Sequence, residues 1–287
     1  VTGSLEVVAL AGTALFEDQG RGHRDSGVPS SGAFDRYAHA AGTALVGGGP
    51  RDASLEVTGR IDLRVAVPIT CAVTGVGTLR VAQRTAPMWT AIEVPARASL
   101  SIRTAGRAYL AVAGGFQPPA VLGSRSTCLL GPLGPPPVRV GDHLPIGRAP
   151  GLGTAGDFCR PPDRTGPVHV VPGPHLRLND VTVRVLEQSR IGVRIRPPAA
   201  LPASDSLPSL GVLPGAIQVL PAGDWMVLGP DAGTMGGYPL VGVVVNADLD
   251  RWAQANPGQD VALRAVDARD APPAAQLQVV RVSSLGG

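Results

Sequence analysis

Turn-forming residues break this chain almost everywhere: 38 glycines and 29 prolines are spread along 287 residues, which leaves no room for a long helix to propagate. Between them lie short β-branched or alternating runs, among them Leu5 to Ala11, Ser54 to Val57, Ile61 to Val67, Thr70 to Val73, Thr78 to Val81, Ala98 to Arg103 and Arg107 to Val112. Each reads as a strand bounded by a turn. A second series follows: Val168 to Val171, Asp180 to Leu186, Gly192 to Ile195, Ala216 to Leu220, Trp225 to Leu228, Val261 to Ala265 and Leu277 to Val282. Two short helices are expected, one from Phe34 through Leu45 with Asp35 as N-cap, the other from Ala247 to Ala255. The punctuation predicts a mainly β protein of two mostly antiparallel barrels or curved sheets. The Pro/Gly-rich stretch around 151–166 reads as a linker between an N-terminal domain, 1–150, and a C-terminal domain, 167–287.

Hydrophobic residues make up 44% of the chain, enough for a real core and too many for disorder. All 25 basic residues are arginine. Without lysine no Walker A loop can be completed, no pyridoxal phosphate held as a Schiff base, and no biotin attached through an amide. A net charge of +3 with no basic run leaves no footprint for nucleic acid. No apolar run reaches the ~18 residues of a membrane span, and no export signal is visible. Cys71, Cys128 and Cys159 are far apart and match no metal spacing, so reduced packing thiols in a cytoplasmic protein are expected. His169 and His175, with five residues between them, are a weak metal signal, and no metal site is predicted.

Three segments carry candidate chemistry. The loop from Glu17 to Arg36 is polar and glycine-rich, and Asp18, Gln19, Arg21, His23, Ser31 and Asp35 within it are suited to surrounding a small polar ligand. Ser30-Ser31-Gly32 is not the G-x-S-x-G of a nucleophile elbow, which argues against a serine hydrolase. Gly114-Gly115 and then Gly123-Ser124-Arg125-Ser126-Thr127 place an Arg fork between hydroxyls. Arg125 either binds a carboxylate or phosphate or pairs with an internal acid such as Glu56. The third segment holds Gln218 on a strand, then Asp231, then Gly236-Gly237-Tyr238-Pro239. It reads either as a ligand-facing amide beside close backbone or as a tight turn with a packed Tyr.

In this order the segments resemble the allophanate hydrolase subunit 2 or KipA-like family, which includes the C subunit of bacterial 5-oxoprolinase. The carrying residues are Asp18-Gln19-Gly20-Arg21, Gly27 through Asp35, Leu45-Val46-Gly47, Leu55-Glu56-Val57-Thr58, Tyr109 through Gly115, Leu122 through Thr127, Gly215 through Val219 and Gly236 through Pro239. The resemblance implies two cyclophilin-like antiparallel β-barrel domains and a heteromer with a KipI-like (allophanate hydrolase subunit 1) partner, joined in the oxoprolinase by a lactam-utilisation subunit. It implies ATP-dependent opening of the pyroglutamate lactam, with the ATP site shared with or supplied by partner subunits and no covalent biotin on this chain. Asp18, Arg21 and Asp231 are then expected in catalysis. Gln19, Ser31, Asp35, Arg125, Gln218, Gly236, Gly237 and Tyr238 are expected to bind the small amide substrate. Two other readings stand beside it: a biotin-dependent carboxyltransferase for a urea or amide acceptor, and a non-catalytic regulator of a KipI-like kinase inhibitor. The chain departs from the family pattern at Ser209-Leu210-Gly211, where Ser-Glu-Gly is usual, and at Gly233 and Met235, where a Gln and a Thr are usual.

Overall fold

The computed structural model describes residues 3–148, 154–176, 178–199 and 207–281. Part of the predicted linker, 151–153, and the end of the last predicted strand, Val282, lie outside them. Of the described residues, those within Val1–Arg21, Ser31–Pro162 and Gln276–Gly287 form one compact unit, and those within Gly22–Ser30 and Asp163–Ala275 form another.

The first unit contains β1 (Gly3–Glu17), α1 (Arg36–Leu45), β2 (Ser54–Val65), β3 (Ile69–Gly75), β4 (Thr78–Val81), β5 (Arg84–Ala86), β6 (Ala91–Val94), β7 (Ser99–Val112), β8 (His143–Ile146) and β9 (Phe158–Cys159). β1 to β8 form an eight-stranded sheet in the order β5-β4-β7-β2-β1-β8, with β3 pairing β6 and β7. Every pairing in it is antiparallel. β9 lies within the Pro/Gly-rich stretch and pairs with a strand from the C-terminal segment, Val279–Val280. Glycines that read as strand breaks are absorbed. Gly59 sits inside β2 where its register with β7 shifts, and Gly106 lies inside β7, so each predicted pair of strands is one long strand. A bulge bends a strand and raises its twist without ending it.

β7 shows how the sequence is used. Its first half alternates, with Leu100, Ile102 and Thr104 buried, whereas Ala108 to Val112 are buried without a break. Alternation is the mark of a strand with one wet face, and continuous burial that of a strand covered on both. The second cover is α1, whose Ala38, Ala41 and Leu45 pack with Ala72, Tyr109 and Ala111. Asp35 caps α1 as expected, its carboxylate accepting from the Ala38 N–H at 3.0 Å.

The second unit contains β10 (Val168–Pro172), β11 (Val181–Gln188), β12 (Gly192–Arg196), β13 (Leu210–Gly211), β14 (Ala216–Val219), β15 (Trp225–Leu228), β16 (Met235–Gly236), β17 (Leu240–Val244), α2 (Leu249–Trp252) and β18 (Asp260–Ala265). Seven of these strands close a barrel in the order β10-β17-β14-β15-β12-β11-β18. All its pairings are antiparallel except β10 with β18. Val170, Val183, Val185, Val193, Ile195, Ile217, Val227 and Leu263 are among the apolar residues its strands bury. The mainly β class is thereby established. α2 is one turn of the longer helix expected over Ala247 to Ala255.

The three cysteines are free and buried. No described helix is long and apolar enough to cross a membrane.

Candidate functional site

In the first unit Asp18 is a hydrogen-bond hub just past the end of β1, 3% exposed. Its Oδ1 accepts from the Gly20 N–H at 2.8 Å, the Ser124 hydroxyl at 2.7 Å and the Ser126 hydroxyl at 2.6 Å. Its Oδ2 accepts from the Arg125 N–H at 2.7 Å. A buried carboxylate accepting four donors is held immobile, so its role is to position the loop around it. Arg21 is equally enclosed: its Nε donates to the Val121 carbonyl at 3.3 Å and its Nη2 to the Ser126 carbonyl. Its Nη1 is buried with no hydrogen-bond partner among the described residues. Gly32 seals the loop by contact. Its φ is +84°, and a Cβ there would lie 2.8 Å from the Gly20 nitrogen, so only glycine fits against Gln19-Gly20.

Arg125 stands apart from its neighbours. Its Nη1 donates to the Pro118 carbonyl at 2.7 Å and its Nη2 to Gln117 Oε1 at 2.9 Å, and no carboxylate pairs with it among the described residues. The internal acid considered as its partner, Glu56, is taken by others. Glu56 Oε1 accepts from Arg107 Nη1 at 2.8 Å, while Oε2 accepts from the Tyr109 hydroxyl at 2.7 Å and the Phe34 N–H at 3.1 Å. Arg125 therefore keeps a net positive charge beside two serines. Ser31, 5% exposed at φ +50°, has a buried Oγ with no partner among the described residues. Gln19 is exposed, and Asp35 is fully buried at the helix cap. The fold thus brings Asp18, Arg125, Ser124 and Ser126 together, while Asp35 belongs to the Glu56–Tyr109 network, its N–H donating to the Tyr109 hydroxyl at 2.7 Å.

Sequence alone does not single out that inner network as functional, although Glu56 and Tyr109 lie in segments that carry the resemblance. It pins the loop 33–35 to β2 and β7, with the Arg107 guanidinium 5.1 Å above the Phe34 ring. Burial, reinforced by the charges of Glu56 and Asp35, pushes the Tyr109 phenol well above its usual range, so it remains a donor to Glu56. A second buried pair joins α1 to β2. His39 Nε2 lies 3.0 Å from the Pro50 carbonyl, which can only accept, so Nε2 carries the proton and Nδ1 accepts from the Ser54 hydroxyl at 2.8 Å. The serine–imidazole pair resembles a nucleophile and its base, but Ser54 is 0% and His39 2% exposed, and both serve packing.

Burial pushes the His39 imidazole below its ordinary value, outweighing the Pro50 carbonyl and the carboxylates of Asp18, Glu56 and Asp52, which act the other way. Folding thus favours the neutral ring. Its contribution is complete above the unfolded value of about 6.5 and is lost as pH falls below that toward the lowered folded value. The stability gap between the native protein and a His39→Gln variant, measured by urea unfolding, is therefore expected to narrow as pH drops below about 6.5. A gap independent of pH would contradict a buried neutral imidazole.

In the second unit Asp231 is locked to Arg190. Arg190 Nε lies 2.8 Å from Oδ2 and Nη2 lies 3.2 Å from Oδ1, with side-chain exposures of 2% and 0%. Gln218, on β14 at a register shift, is 5% exposed, and its Nε2 has no acceptor among the described residues. Gly236 makes room for it, because a Cβ there would lie 2.3 Å from that nitrogen. Gly237 accepts from the Leu207 N–H at 3.0 Å, and Tyr238 is 42% exposed. Arg24 has no motif to mark it in the sequence. It reaches the Val212 carbonyl at 2.5 Å through Nη2, its Nη1 is buried without a partner among the described residues, and burial lowers its pKa. His175 accepts from the Leu240 N–H and His169 pairs with Asp248 at 2.8 Å. Among the described residues no cluster of His, Cys, Asp and Glu could hold a metal.

The family model described as carboxyltransferase domain, subdomain A and B, matches residues 26–265, and the chain belongs to that family. It is 30% identical over 278 residues to the 5-oxoprolinase C subunit of Escherichia coli (strain K12), covering 90% of this chain and 89% of the relative. It is 27% identical over 289 residues to the 5-oxoprolinase C subunit of Haemophilus influenzae, covering 93% of each. Among solved structures, TTHA0988 superposes with a TM-score of 0.79 at 28% identity, over 92% of this chain but only 56% of that one. The urea amidolyase of K. lactis superposes at 0.82 with 23% identity, this chain spanning 19% of it, and shows a shared fold.

Proposed function

We propose that this chain is a subunit of an ATP-dependent 5-oxoprolinase, acting with a KipI-like partner and a lactam-utilisation subunit to open pyroglutamate to glutamate in the cytoplasm. The observation that carries the reading is the likeness to the 5-oxoprolinase C subunit over nine-tenths of this chain and nearly as much of the relative. The chemistry of the first unit supports it. The substrate is a compact lactam bearing a carboxylate, and Arg125 is a half-buried guanidinium without a carboxylate partner among the described residues. In this reading it binds the substrate carboxylate, and Asp18 acts as a positioning residue by holding the Arg125 backbone. Ser31 Oγ and Arg21 Nη1 supply further buried polar atoms in that unit. In the second unit Gln218 Nε2 is a buried donor without an acceptor among the described residues, and Asp231 is engaged with Arg190.

The lactam C–N bond is a stable amide. Its hydrolysis adds water across that bond, hydroxide to the carbonyl carbon and a proton to the departing nitrogen, after the carbonyl oxygen has been activated. Without lysine this chain cannot complete a Walker A loop. In this reading the ATP site that serves the activation step is shared with or supplied by the companion subunits.

The reconstituted complex with ATP and pyroglutamate is expected to release glutamate, with ATP turnover dependent on pyroglutamate. Arg125→Ala is expected to lower kcat/KM by about 30- to 100-fold, the equivalent of a charged hydrogen-bonded contact. An unchanged rate would remove Arg125 from the site. ATP turnover indifferent to pyroglutamate would remove the function itself and favour the regulatory reading. The family description favours one alternative, carboxyl transfer from biotin carried on another chain. Carboxylation of a urea or amide acceptor by added carboxybiotin, without glutamate release, would establish it.

A further inference from the structure

The outer face of the first unit's sheet carries charge that the lactam site does not use. Leu79, Leu100, Ile102, Ile61 and Leu63 belong to the core, so the residues alternating with them on β4, β7 and β2 stand on the opposite face. The register aligns them in rows: Thr78 with Arg103 and Arg60, Arg80 with Ser101 and Asp62, Ser99 with Arg64. With Gln83 and Arg97 they line a groove of about 470 Å³. Five arginines against one aspartate give it a local charge of +4, while the entire chain carries +3. The excess positive charge of the protein is therefore gathered here.

Two of the five are neutralised. Arg60 Nη2 lies 2.7 Å from Asp62, whose carboxylate also accepts from the Ser101 hydroxyl at 2.6 Å, and Arg64 pairs with Glu6 at 2.9 Å. The other three are not. Arg80 meets only the Gln83 carbonyl, at 2.5 Å, and no ion pair forms with Arg97 or Arg103 among the described residues. All five are exposed. Solvated guanidiniums spread across an open sheet hold a single small anion weakly, but they suit a surface that offers several carboxylates at once. No aromatic side chain lines the groove, so nucleic-acid bases would have nothing to stack on.

From this geometry we infer that the Arg80–Arg97–Arg103 groove docks an acidic segment of a companion protein. This goes beyond the proposed lactam chemistry and stands without it. The probe is a fluorescein-labelled hexaglutamate peptide, titrated by anisotropy with the full chain at low and high salt. The native chain is expected to bind it in a salt-sensitive way, and Arg80→Glu/Arg97→Glu/Arg103→Glu to bind at least about tenfold more weakly. A control of equal charge, Arg184→Glu/Arg196→Glu/Arg264→Glu, reverses three exposed arginines of the second unit and is expected to retain binding. Urea unfolding of both triple variants confirms that they fold; should the groove triple fail, Arg97→Glu/Arg103→Glu replaces it. Equal binding by the native and groove-reversed chains, no binding by the native chain, or equal loss in the control would each overturn the inference. Tighter binding of oligouridine or tripolyphosphate than of the peptide, lost in the groove variant, would overturn it in favour of a phosphate ligand. Glutamate release is not scored, so failure of the oxoprolinase reading leaves this result intact.

Discussion

Asp18→Ala is expected to destabilise the first unit by about 3–5 kcal/mol, as the sum of several lost charge-assisted hydrogen bonds and the donors they leave behind. The carboxylate accepts from two backbone N–H groups, of Gly20 and Arg125, and from two serine hydroxyls. The hydroxyls can rotate toward other acceptors, but the backbone donors cannot. Asp18→Asn keeps the volume and one acceptor oxygen, yet turns an NH₂ toward a donor, and is expected to recover about half of the loss. Urea unfolding monitored by tryptophan fluorescence measures both. A loss below about 1 kcal/mol in the alanine variant would mean that the four contacts do not hold the loop. The pattern also bears on activity: if Asp18 acts by positioning Arg125, Asp18→Asn should raise KM for pyroglutamate more than it lowers kcat.

Asp231→Ala is expected to cost the barrel about 3–5 kcal/mol, because it removes one member of a buried ion pair. Arg190 and Asp231 are joined by two hydrogen bonds with side chains 2% and 0% exposed. Breaking a buried pair is costly, whereas replacing both members by apolar groups of similar size often is not. Arg190→Met/Asp231→Leu is therefore expected to be more stable than Asp231→Ala alone. A double variant as unstable as the single one would show that the pair is embedded in further polar contacts that also need satisfying. The same comparison tests catalysis by Asp231: a double variant that recovers stability and retains turnover would exclude it.

Particular residues show what could be read from the chain alone. The Asp35 cap was legible because cap and donor lie three residues apart. The candidate segments were legible as polar, glycine-bearing loops. Their internal assignments were not: Ser124 and Ser126 reach Asp18 across 106 and 108 residues, and nothing local marks them as its donors. Arg125 could be stated only as a choice between ligand and internal acid. The acid named as its possible partner, Glu56, is instead engaged by Arg107 and Tyr109 once β2 and β7 lie side by side.

Strand boundaries divide in the same way. Gly59 and Gly106 carry the local signature of a break, yet the neighbouring strands supply enough pairing to carry β2 and β7 through them. The arginine face was equally hidden. Arg60, Arg80 and Arg103 are scattered through three segments, and only the register sets them in rows.

The order of amino acids by itself determined a mainly β protein rich in turns, a capped short helix, the absence of lysine chemistry and the family. Those properties follow from local backbone preference and from which functional groups are present at all. Tertiary structure decided which acid meets which base, which hydroxyls close on Asp18 and where uncompensated arginines gather. Such outcomes depend on strands distant in sequence becoming neighbours, and a hydrogen bond or ion pair exists only once its two ends are within about 3 Å.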